Sequence, residues 1–287
     1  MTASRRGLPL SLRAGLVLLS AVVLLSLVGP LVVRWAPGDC DSDAVIAGPS
    51  ARHFLGTDED GRDTLSRVLA GGRVALVVGL ATAALSVGLG LILGGLAGWM
   101  GGWVDAIVSR VCDVLMAFPG ILLALLVLFV TADPGLPTVV LSLSLTAWAG
   151  HARLVRALVR GVRDRDFVRA GRCVGASEPR LLVRYVLPEV VGPVLVQATF
   201  AVAGAVLGEA SLSFLGLGPQ GVVSWGGLLE QGAVLFLKTP ALVLSAGGAL
   251  LCLLAAVNLT GDGLRDLLDP RLAGQTVRNV NARSVWG

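Results

Sequence analysis

Six stretches of this chain are long and nearly free of charge, and such stretches can be buried only in lipid or deep inside protein. Ala14 to Val33 is the first and carries no ionisable side chain. Val74–Gly98, Ala106–Thr131, Leu136–Gly150, Val190–Leu207 and Pro240–Leu259 follow, with Arg110 and Asp113 as the charges inside them. About twenty apolar residues suffice to cross a hydrocarbon layer as a helix. In lipid a helix is also the simplest way to satisfy every backbone amide. The expectation is an all-α polytopic membrane protein with about six transmembrane helices. The fourth stretch is short for a straight crossing, so Leu154 to Val159 is expected to continue it as the same helix. Composition agrees: 55% of residues are apolar and 15% charged, against about a quarter charged in ordinary soluble chains, and the mean hydropathy is +0.82.

The segment from His151 to Gly192 is the exception, being too polar to enter a bilayer. It holds Arg153, Arg156, Arg160, Arg163, Arg165, Arg169, Arg172, Arg180 and Arg184 against Asp164, Asp166, Glu178 and Glu189. Basic residues near the ends of spans mark the cytoplasmic side, so this block is expected inside, with both termini. Arg153, Arg156, Arg160 and Arg163 share one helical face, with Leu154, Leu158 and Val162 beside it. Gly175 breaks the helix. Ser177 is placed to cap a second short helix with Glu178 and Pro179 in its first turn. Two short helices hung below a membrane domain make a docking surface; for the arginine face, a protein partner and phospholipid headgroups both remain open. The net charge of +4 does not point to nucleic acid, because only Phe167 and Tyr185 supply aromatics among the basic residues.

At the N-terminus, positive charge followed by an apolar run is also the plan of a signal peptide. The run is long for one and no Ala-x-Ala site follows before Arg34, so a retained first span is expected. Residues 34–72 are polar and are expected outside. There Thr57 with Asp58, Glu59 and Asp60 reads as a capped helix start, and Asp63 and Arg67 as an i,i+4 pair; an EF-hand reading of the same acids fails, because Gly56 and Arg67 would occupy ligand positions. Gly90, Gly94 and Gly98 repeat at the spacing that lets helices pack closely. Trp99 and Trp103 suit a membrane interface on a short inner turn. The stretch 208–239 is apolar enough to dip back as a re-entrant or interfacial segment.

Chemistry is absent where an energy source would be needed. Lys238, the only lysine, is preceded by Leu237 where a phosphate-binding loop needs glycine. No Cys/His spacing suggests a metal, and neither GxSxG nor HExxH occurs. An ion-coupled secondary transporter is the alternative. It would use acids deep in the spans, and Asp113 and Glu209 are the candidates for a pathway or gate; Arg110, one turn from Asp113, offers charge-paired anchoring instead.

Arg169-Ala170-Gly171, then Gly175, then Tyr185-x-Leu187-Pro188 resembles the EAA loop of importer-type ABC permeases. That pattern is Glu-Ala-Ala, three residues, Gly, nine residues, an apolar or His position, one residue, Leu-Pro; Arg169 and Gly171 depart from it. HFLGTDEDGRDTLSRVLAGGRVAL (53–76), GEASLSFLGLG (208–218) and NLTGDGLRDLLDPRL (258–272) are similar to the second permease subunit of dipeptide, oligopeptide and nickel importers. The resemblance implies a type I ABC importer permease fold. It divides the chain into a first helix plus external loop (1–72), a permease core (73–262) with the coupling loop at 151–192, and a cytoplasmic tail (263–287). It implies no catalysis and no cofactor bound by this chain. The implied partners are a second homologous permease subunit, two ATP-binding cassette ATPase subunits, an extracytoplasmic substrate-binding lipoprotein and membrane lipids, in the bacterial cytoplasmic membrane. Arg169, Ala170, Gly171, Gly175, Ala176, Ser177, Leu187 and Pro188 are the implied ATPase-coupling residues, with Gly175 and Ser177 opening the coupling helix and Leu187-Pro188 ending the segment.

Overall fold

The computed structural model describes residues 8–131 and 135–268. Arg5 and Arg6, and the tail beyond Leu268 with the end of the 258–272 motif, lie outside the described residues. The described chain is helical: α1 (Leu10–Val32), α2 (Thr64–Met100), α3 (Gly102–Ala117), α4 (Gly120–Thr131), α5 (Leu136–Arg163), α6 (Asp166–Cys173), α7 (Glu178–Leu181), a π-helical turn (Leu182–Val186), α8 (Leu187–Phe214), α9 (Trp225–Leu235) and α10 (Ala241–Leu268). Among these residues there are two isolated bridges, Cys40 with Arg62 and Thr57 with Asp63.

Four helices are long and apolar enough to cross a membrane: α1, α2, the continuous Glu178–Phe214 and α10. The pair α3 and α4 makes a fifth if taken as one broken span. The expected unbroken third span is therefore corrected to two helices bent by 90°. The cause is Pro119, which drives Phe118 into extended backbone, φ −95° and ψ 141°. The fourth stretch of the sequence is α5. It carries its apolar part, Leu136–Gly150, straight on into the arginine segment as one helix of 28 residues.

α2 is the central strut, packing most extensively against α5 and also against α1 and α8. Its glycine repeat explains the α5 contact. A Cβ on Gly90 would lie 2.5 Å from His151 Cβ, and one on Gly98 would lie 2.7 Å from Arg156 O. Without hydrophobic attraction between helices in lipid, such backbone-to-backbone approach is what holds them together. α1 and α10 run together along another face.

The polar connection before α2 folds differently from expectation. Thr57 does not cap a helix: its hydroxyl accepts from Ala47 N–H at 2.9 Å and donates to Ala44 O. Asp58 instead folds a turn, accepting from the N–H groups of Asp60 and Arg62. The helix starts at Thr64, where Asp63 caps it by accepting from Ser66 N–H at 2.8 Å. Asp63 also meets His53 Nδ1 at 2.9 Å. Committed to the cap and to His53, it leaves Arg67 to pair with Asp58. His53 is bracketed a second time by Asp41, at 3.2 Å from Nε2, and this bond, with help from Arg52, holds the Asp41 carboxyl below its ordinary pKa. The 208–239 stretch does fold back into protein. α9 packs on α8 and α10, and Trp225 Nε1–H donates to Val68 O at 2.7 Å.

Candidate functional site: the arginine elbow

α5 and α8 leave the bundle at the same end and are joined by an elbow, residues 164–186. Its interior is apolar. Val168, Leu181 and Val186 are fully buried and pack with Val155, Val159 and Val162 of α5, Val190 and Val194 of α8, and Trp99 of α2. Trp99 therefore sits in the elbow core rather than at an interface, and Arg172 lies over its ring, 5.2 Å from the centroid; Trp103 is the exposed one. α2 and α3 are separated only by Gly101.

The turn between α6 and α7 is a Schellman motif. Gly175 N–H donates to Arg172 O at 2.9 Å and Ala176 N–H to Gly171 O at 3.0 Å. This satisfies the last carbonyls of α6 and requires a left-handed residue at Gly175, whose φ is +82°. Gly171, where the family pattern has alanine, gives room to Leu181: a Cβ there would come within 2.6 Å of Leu181 Cδ2. Ser177 occupies the N-cap position of α7, but its side chain makes no capping bond. The clamp that sequence reasoning missed is Arg172 with Glu178, Nε to Oε1 at 2.9 Å and Nη2 to Oε2 at 3.3 Å. This fork ties α6 to α7 across the glycine turn and raises the Arg172 pKa above its ordinary value, the Glu178 hydrogen bond being the main cause. The signal was the six-residue spacing across Gly175. Arg165 and Glu189, 3.6 Å apart, join the start of α6 to α8.

The expected coupling residues fall in two groups. Arg169, Ala170, Gly175 and Ser177 are exposed, while Gly171 and Ala176 are half-buried against the elbow core. Val174 is 85% exposed at the tip, and Phe167 and Tyr185 are also exposed, so the surface mixes apolar side chains with arginines. Leu187 and Pro188 do not end the segment. The helix runs without interruption from Glu178 to Phe214. Pro188 lacks an N–H and its ring crowds the carbonyl of residue 184; the preceding π-turn, with Leu187 N–H reaching back to Leu182 O, widens the helix and makes the room.

Above the elbow, the arginine face of α5 is neutralised from α3. Asp105 accepts from Arg156, with Nη2 to Oδ2 at 2.8 Å, and from Arg160 at 3.3 Å. Asp113 pairs with Arg153 of α5, which lies alongside, and not with Arg110 of its own helix. Glu209 is fully buried in α8 and accepts from Ser213 Oγ at 2.6 Å. Asp105 is largely buried and Asp113 half exposed. Asp105→Asn is therefore expected to lower stability by about 1–3 kcal/mol, and Asp113→Asn by less than about 1 kcal/mol, as read from thermal unfolding of the purified chain in detergent.

Comparison with known proteins gives this geometry a family. Residues 90–274, more than half of the chain, match the model of the binding-protein-dependent transport system inner membrane component. A chain of Brucella suis biovar 1 (strain 1330), provisionally named a peptide transport system permease protein, is 41% identical over 273 residues, 95% of this chain and 92% of that one. The glutathione transport system permease protein GsiD of Escherichia coli O6:K15:H31 (strain 536 / UPEC) is 38% identical over 258 residues, 88% of this chain and 85% of that one. Among solved structures, the inward-facing MetNI methionine ABC transporter matches with a TM-score of 0.59 at 18% identity, over 71% of this chain and 96% of the matched chain, which speaks to fold alone. The chain belongs to the family of binding-protein-dependent transport system inner membrane components, and its fold is that of an ABC importer permease.

Proposed function

We propose that this chain is one half of a gated pathway for short peptides or glutathione-like solutes. It would pair with a second permease subunit, be driven by two ATPase subunits docked on the elbow and receive cargo from an extracytoplasmic binding lipoprotein. In this reading it binds no cofactor, performs no catalysis and lies in a bacterial cytoplasmic membrane with both termini inside. The cargo rests on the names of the peptide and glutathione relatives. One observation carries the mechanism: the elbow packs around its own apolar core, presents an apolar tip and is continuous with a span. Val168 and Leu181 are fully buried, Val174 projects, and the helix from Glu178 to Phe214 is unbroken. Closure of an ATPase pair against Val174, Arg169 and Ser177 would push α7, and α8 would move with it. α5, the other arm, would follow through the shared apolar core. The ion-coupled alternative gains nothing, since Asp113 is paired with Arg153 and Glu209 is held by Ser213.

The test is uptake of labelled dialanine and glutathione by cells with and without this chain. Loss of ATP-dependent uptake of at least one of them is expected on deletion, with restoration by the intact gene; unchanged uptake of both would contradict the cargo assignment. A reporter inserted near Ser50 is expected to read as external and one fused after Gly287 as cytoplasmic. The reverse pattern would overturn the orientation.

A further inference from the structure

A cavity of about 390 Å³ opens where α2, α5 and α8 meet, lined in part by Thr82, Thr146, Gly150, His151, Gln197 and Phe200. Small-molecule sites commonly measure about 300–1,000 Å³. Thr82 is midway along α2, so at 1.5 Å per residue it lies about 27 Å from either end, and Phe200 is near the middle of α8. The cavity is therefore at mid-depth of the bundle.

Two of the lining residues each carry a buried polar atom with no protein partner, Thr82 Oγ1 and His151 Nδ1. The residues are only 2% and 7% exposed. An unpartnered buried donor or acceptor is costly, and at this depth lipid cannot satisfy it. Gln197, on the facing helix, adds a carboxamide with both donor and acceptor. The lining contains no Asp, Glu, Lys or Arg. A charged group entering here would find no counter-ion and would carry the full cost of desolvation.

We infer that this cavity is a binding site for uncharged hydrogen-bonding groups of the passing solute, namely the backbone amides of a short peptide, with Thr82, His151 and Gln197 setting specificity. The inference rests on the permease reading above. Hydroxyl, imidazole and carboxamide each offer both a donor and an acceptor, which matches the N–H and C=O of an amide. Phe200 supplies an apolar face for a side chain. The charged termini of the peptide would have to be met elsewhere.

The chain contains two histidines, so the protein with ring-¹⁵N-labelled histidine in lipid nanodiscs gives signals from two imidazoles, assigned by the variant His151→Gln. Titration with N-acetyl-alanine-N′-methylamide is expected to shift the His151 signal saturably and leave His53 unmoved. Thr82→Val, which keeps the side-chain shape, combined with Gln197→Leu, is expected to weaken that response at least tenfold. No movement of His151, or equal movement with acetate and methylammonium, would overturn the inference, the latter marking a water-filled void. A second arm measures dialanine uptake by the assembled transporter. Failure of the unaltered chain to support uptake would count against the permease reading itself. Uptake that is normal in the parent, with KM unchanged in Gln197→Leu, would overturn this inference while leaving that reading intact; a KM raised at least tenfold is expected.

Discussion

Replacing Gly94 with leucine is expected to remove nearly all assembled protein from the membrane, at least a tenfold loss. A Cβ at this position would press into Ala152 of α5, lying 2.9 Å from its C and Cα atoms and closer still to its carbonyl oxygen. Those are backbone atoms in the middle of a helix, so nothing can rotate aside. Gly90 and Gly98 make the same approach one turn to either side, and the α2–α5 pair is the most extensive in the bundle. Overpacking against side chains costs about 1–3 kcal/mol; against backbone, the two helices must separate and lose the close contact that drives their association in lipid. Gly94→Ala is expected to be intermediate. Gly95→Ala, whose added Cβ would meet nothing within 4 Å, is expected to be neutral. Membrane-inserted protein by immunoblot and thermal unfolding in detergent check the series, and equal levels for Gly94→Leu and Gly95→Ala would contradict it.

Gly175→Val is expected to have the other large effect, and of a different kind. The residue holds φ +82° and no atom lies within 4 Å of a Cβ built there, so the obstacle is conformational and local. A β-branched residue in the left-handed region costs on the order of 1–3 kcal/mol, enough to unwind the Schellman turn and swing α7 away from α6. The spans are untouched, so the protein still reaches the membrane. Transport in the assembled complex is expected to fall at least tenfold while the ATPase subunits continue to hydrolyse ATP. Gly175→Asn, which tolerates that backbone region, is expected to keep most transport. Full uptake by the valine variant would show that the elbow does not carry the coupling.

What could be read beforehand followed local rules. Apolar length gave the helices, the glycine repeat gave a close packing face, and Gly175 gave the break after α6. What could not be read depended on which chain segment lies alongside. Asp63 had a neighbour at i+4, yet its carboxylate was already engaged by the cap and by His53. Asp113 had Arg110 one turn away and met Arg153 from forty positions off. Thr57 lay before three acids, the local signature of a helix start, and closed a loop instead. Leu187-Pro188 looked like a terminus because the widening of a helix by a π-turn leaves no residue pattern. At the elbow the expected coupling residues rest on resemblance, whereas the Arg172–Glu178 clamp and the stacking on Trp99 needed coordinates. The mid-depth cavity was invisible because Thr82, His151 and Gln197 come from three helices far apart in sequence.

The central claim is that this chain is a passive gate moved from its elbow by separate ATPases. The most direct measurement is solute accumulation in proteoliposomes holding the chain alone or with its companion permease, ATPase and binding subunits. The account predicts ATP-dependent accumulation by the full set and none by the chain alone, whether ATP or an ion gradient is supplied. Accumulation against a gradient by the chain alone would contradict it.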